Sequence, residues 1–90
     1  MPYILKDHRV VFDEPIANIA KEIKSVGELN YCITTLIHNY TKNHIMRYGM
    51  LNDCLGVLDA VAREYYRKVV APYEDKKIEE NGDIGILLDK

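Results

Sequence analysis

A small, mostly α-helical domain is the fold this sequence predicts, and three observations carry the prediction. Apolar residues recur at spacings of three and four along most of the chain. The stretch Leu51 to Val69 is apolar around much of its cylinder, as a well-covered helix would be. Ninety residues, 48% of them hydrophobic, suffice for one modest core. The expected architecture is a single domain of three helices, with an extended N-terminal arm and a short C-terminal helix plus tail, assembling as a homo-oligomer.

Residues 1–12 carry the β-prone patch Val10-Val11-Phe12 after a charged Lys6-Asp7-His8-Arg9, which reads as the extended arm. Asp13 is a good N-cap and Pro15 fits a first helical turn, so helix one is expected over 13–26. Its apolar face is Ile16, Ile19, Ala20 and Ile23, and Gly27 is its expected stop. Leu29, Ile33, Leu36, Ile37 and Tyr40 mark helix two over about 28–43.

Helix three is expected over about 50–71, on the stripe Leu51, Leu55, Leu58, Ala62, Tyr65 and Val69. Two shorter helices leave part of so apolar a rod uncovered, which points to a second copy of the chain. The alternative cover is the arm and the tail. Pro72 is expected to end the rod, because the residue before a proline is pushed from the helical region. A short helix at 74–81 stops at Asn81-Gly82, and the apolar tail 84–90 straps onto the body or a partner.

Composition excludes some roles. Net charge is −2, which argues against sequence-nonspecific binding to nucleic acid. The charge is uneven. Residues 46–71 hold Arg47, Arg63, Arg67 and Lys68 against Asp53, Asp59 and Glu64, for +1. Residues 72–90 hold Lys76, Lys77 and Lys90 against Glu74, Asp75, Glu79, Glu80, Asp83 and Asp89, for −3. No apolar run nears the roughly 18 residues of a membrane span, and the N-terminus does not read as a signal peptide. The expected compartment is the cytoplasm. There Cys32 and Cys54 read as small hydrophobes more than as a disulfide.

Chemistry concentrates where helix three ends. Arg63, Tyr66, Arg67 and Val70 share a helix face away from the core stripe, beside Tyr73, Lys76 and Lys77. Arginine forks match phosphate oxygens and tyrosine faces stack on bases. The structural reading competes: Asp59 precedes Arg63, and Glu64 precedes Lys68, by four residues each. No cofactor is implied, and His8, His38 and His44 lack the spacing of metal ligands. Glu80 and Asp83 form one acidic-x-x-acidic pair, but helices two and three supply no second pair for a magnesium site. No nucleophile with its base and no glycine-rich phosphate loop is evident.

Gly27-Glu28-Leu29-Asn30-Tyr31, and the segment Arg67-Lys68-Val69-Val70-Ala71-Pro72-Tyr73-Glu74-Asp75-Lys76-Lys77-Ile78-Glu79-Glu80-Asn81-Gly82-Asp83, resemble a family of small proteins of unknown function. Its members are scattered through bacteriophages, bacteria and archaea. The likeness covers most of residues 1–84 and implies a phage or mobile-element setting, without an activity to carry over. Small helical oligomers in that setting include proteins that sequester nucleotide immune signals without cleaving them. The expectation is therefore a non-catalytic binder of a nucleotide or other phosphorylated small molecule. Arg63, Arg67, Lys76 and Lys77 would hold phosphates, Tyr66 and Tyr73 would flank a base, and Asp75 or Asn81 would accept from base or ribose. Two alternatives stand beside it. One is a protein-docking module using the acidic segment 74–83 with Ile84 to Leu88 as anchor. The other is a small magnesium-dependent nucleotide hydrolase using Glu79, Glu80 and Asp83.

Overall fold

The structure is a computed structural model and describes residues 3–85. The protein is mostly α-helical, and the described residues contain no strand. Helix α1 is Val10–Glu22, α2 is Val26–Lys42, α3 is Tyr48–Tyr65 and α4 is Ala71–Asn81. The chain divides into two compact units, Met1–Ile45 and Met46–Lys90. The expected apolar tail lies largely outside the described residues.

In the first unit the extended arm is corrected. Lys6–Arg9 form a 3₁₀ turn, entered by the His8 N–H donating to the Leu5 carbonyl at 2.9 Å, and the chain runs on directly into α1. Phe12 thereby joins Ile16, Ile19 and Ile23 at helical spacing, and that shared face outweighs the β preference of Val10 and Val11. Asp13 is inside the helix and not its cap, and Pro15 is also internal, leaving the Val11 carbonyl without its usual donor.

The stop comes before Gly27. Ile23 turns to extended backbone, with φ −79° and ψ 118°. Ser25 is the N-cap of α2: its Oγ accepts from the Glu28 N–H at 3.1 Å, while the Glu28 carboxylate accepts from the Lys24 N–H. This is a capping box displaced by one residue: it satisfies one donor in the first turn of the new helix and the Lys24 amide just ahead of its cap. At the other end of α2, the Asn43 N–H donates to the Asn39 carbonyl at 3.1 Å. The His44 ring stacks on Tyr40 at 4.1 Å with Nδ1 2.7 Å from the Tyr40 carbonyl. Between α1 and α2 lies a groove of about 250 Å³, walled by Ile16, Ile19, Ile23, Leu29, Ile33 and Leu36.

The second unit is one rod. Helix α3 passes through a five-residue π turn, Tyr66–Val70, into α4 without a break. Pro72 therefore does not end the helix: Ala71 before it keeps φ −61° and ψ −46°. The rod closes at Gly82, whose φ of 88° is natural for glycine and whose N–H donates to the Ile78 carbonyl at 2.7 Å.

None of the described residues is buried. Leu36 is 71% exposed and Leu55 66%, although both sit on the stripes that the sequence marks as core. The helical periodicity is thus expressed in full, while the apolar faces it produces stay uncovered within each unit. Both cysteines are free and half-buried, with Cys54 Sγ 3.8 Å from Met50 Sδ. No helix among the described residues is long and apolar enough to cross a membrane.

Candidate functional site

All eight candidate residues lie on the rod between Arg63 and Asn81. At 1.5 Å per residue they are strung along roughly 25 Å, so a single rod offers a wall and not an enclosed pocket. What organises this wall is the turn before Pro72. Proline has no N–H, and in an unbroken helix its ring would strike the carbonyl four residues back, that of Lys68. Widening the helix here relieves the clash. The Ala71 N–H reaches back five residues to the Tyr66 carbonyl, which is the π pattern. Pro72 then occupies the opening turn of α4, where a missing donor matters least.

The wide turn changes which side chains are neighbours. In an unbroken α-helix a residue sits two turns below the residue seven further on. One extra residue in the turn moves that relation to eight. Tyr66 accordingly lies below Glu74, whose side chain leans back toward the helix N-terminus, and the phenol donates to Glu74 Oε1 at 2.7 Å. The bond holds the Tyr66 proton and raises its pKa above the ordinary 10.0; the negative charge of Glu74, desolvation and Asp75 add to the shift in that order.

The cations divide into engaged and open groups. Arg63 Nε donates to Asp59 Oδ2 at 2.8 Å, and this bond first, then the charge of Asp59, raises the arginine's pKa. Lys68 pairs with Glu64 at 2.8 Å. Lys77 reaches Glu80 at 3.4 Å and also sits 5.6 Å from the centre of the Tyr73 ring, a cation–π distance. The side chains of Arg67 and Lys76 make no hydrogen bond or ion pair among the described residues. Asn81 ends α4 beside the Gly82 turn.

The structure therefore joins Tyr73 with Lys77, ties Arg63 to Asp59 outside the candidate set, and leaves Arg67 and Lys76 open. Glu74 was missed as a site residue. An eight-residue spacing is invisible to α periodicity, and the available signal was a proline inside an otherwise continuous helical pattern. Among the described residues no group of three or more His, Cys, Asp or Glu side chains could hold a metal ion.

Residues 1–84 match the family described as Domain of unknown function (DUF6899), and the chain belongs to it. No curated protein and no solved structure matches the chain at a significant level.

Proposed function

We propose that this member of a family with no assigned activity is a non-catalytic binder of a nucleotide or similar phosphorylated small molecule. The observation that carries the reading is Arg67: an arginine whose side chain has no acidic partner among the described residues. Lys76 adds a second open cation, and Tyr73 with Lys77 offers an aromatic face already suited to stacking. Arg63 contributes less than its sequence position promises, because Asp59 competes for its guanidinium. A rod needs a second surface to enclose a ligand. We place that surface on a further copy of the chain, since the exposed apolar stripes of α2 and α3 call for cover. A phage counter-defence protein that sequesters nucleotide immune signals is the biological form of this reading.

The test is a thermal-shift panel of cyclic di- and trinucleotides and ADP-ribose derivatives on the intact chain. One ligand should raise the melting temperature saturably, and Arg67→Ala should abolish the rise. A panel without any shift or calorimetric heat refutes the reading. Sedimentation should give an oligomer; a compact monomer refutes the assembly.

A second reading, docking of a basic protein on residues 74–83, is favoured by Asp75 and Glu79, which are exposed and in no ion pair among the described residues. It predicts recovery of a partner by the intact chain and not by a chain truncated after Ala71.

A further inference from the structure

We propose that Pro72 and the Tyr66–Glu74 hydrogen bond form a register lock that holds Glu74 off Arg67 and so keeps that arginine open. The lock is a property of the rod alone; its use, a cation held ready for an anion, rests on the reading above.

The argument starts from helical phase. Without the wide turn, positions seven apart would stack: Glu74 would sit above Arg67, and Tyr73 above Tyr66. Glutamate and arginine are both long enough to approach across two turns, and the carboxylate would neutralise the guanidinium. With the Ala71 N–H on the Tyr66 carbonyl, the upper part of the rod is displaced by one residue. Glu74 now sits above Tyr66 and receives its phenol proton at 2.7 Å. Asp75, a methylene shorter than glutamate, takes the place above Arg67 and makes no bond to it.

The other acid within reach of Arg67 is Glu64, three residues earlier, and Lys68 holds it at 2.8 Å. Arg63 shows what happens without such protection: Asp59, one turn below, occupies it directly. The two arginines share composition and face and differ in what has been done with the nearest acids. Pro72 enforces the displaced phase, since its ring denies the α arrangement at Lys68. Tyr66 then occupies the carboxylate that this phase brings to it.

The experiment is nuclear magnetic resonance on the full chain, with two readouts. Through-hydrogen-bond coupling identifies the carbonyl that accepts from the Ala71 amide. Titration with inorganic pyrophosphate follows the Arg67 side-chain Nε–H. In the native protein the acceptor should be Tyr66, and pyrophosphate should shift the Arg67 signal. Pro72→Ala should move the acceptor to Arg67 and weaken the pyrophosphate response several-fold, and adding Glu74→Gln should restore it. Tyr66→Phe, which leaves the proline in place, should weaken the response without moving the acceptor.

Coupling of the native Ala71 amide to Arg67, an unmoved acceptor in Pro72→Ala, or a response that Glu74→Gln does not restore would each overturn the lock, as would an unchanged response in Tyr66→Phe. If native Arg67 ignores pyrophosphate, the binding reading falls, and the Ala71 acceptor still decides the lock.

Discussion

Two interruptions of the helical pattern, one in each unit, resolve in opposite ways. At Ile23-Lys24-Ser25 the helix ends, although no proline stands there; at Pro72 a proline stands and the helix continues. The difference lies in what replaces the lost hydrogen bonds. At the first site Ser25 and Glu28 accept from the Glu28 and Lys24 amides, so a fresh N-terminus costs little. Between Tyr66 and Ala71 the sequence is Tyr-Arg-Lys-Val-Val-Ala, with no serine, threonine, asparagine, aspartate or glycine to cap a new start. Breaking there would orphan several amides, whereas a wide turn keeps most of them paired. A helix ends where side chains can replace its backbone partners, more than where one donor is missing.

The largest effect expected concerns what the two regions share, their exposed seams. Leu36→Asp in α2 and Leu55→Asp in α3 each place a carboxylate on a stripe that is exposed in the single chain and that the proposed assembly would cover. Each should cost about 3 kcal/mol or more. Urea denaturation with sedimentation will show a lower midpoint and dissociation. If one of the two is silent, its stripe is a solvent face and only the other region assembles.

Next in size is removal of the box at the elbow. Ser25→Ala with Glu28→Ala should cost about 2 kcal/mol, near the sum of two ordinary capping losses. Amide exchange should accelerate first at Val26–Glu28. Equal stability of this variant and the native chain would mean that the elbow is held by the apolar groove and not by its caps.

A smaller change tests the comparison from the other side. Ala71→Ser puts a hydroxyl three residues before Glu74, the spacing that Ser25 has to Glu28, with Pro72 in the favoured first helical position. This one substitution should loosen or break the rod. It should raise amide exchange over residues 67–71 and lower helicity by circular dichroism, with a stability change of about 1 kcal/mol. An unaltered rod would show that the absence of a cap is not why the helix continues past Pro72.

How much of this was legible follows from the same contrast. The stripes of α1, α2 and α3 were readable because spacings of three and four are local. The elbow was readable in principle, since Ser25-Val26-Gly27-Glu28 is a capping signature, but Gly27 drew attention as a stop when it belongs to the first turn of α2. The arm was misread because β preference at Val10-Val11-Phe12 is weak beside the helical face that Phe12 completes. At the candidate site, Arg63's pairing with Asp59 was visible at four residues. Tyr66 with Glu74 was not, because it exists only after Pro72 has displaced the phase.

The smallest expected effect isolates that last bond. The pKa of Tyr66 is raised, so the native state holds the phenolic proton more tightly than the unfolded chain does. The sign follows: the contribution of this bond is complete below the ordinary value near 10 and disappears as pH rises through the higher native value. Stability should therefore decline at the alkaline end more in the native chain than in Tyr66→Phe. Glu74→Gln replaces the charged acceptor of this bond, the largest cause of the shift, with a neutral amide and should return Tyr66 toward its ordinary ionisation, read from its ring carbon shifts. At the elbow, Ser25→Ala should leave the Tyr66 titration untouched. A common lowering of the Tyr66 titration in both variants would mean that the two interruptions are coupled and that the wide turn does not act alone.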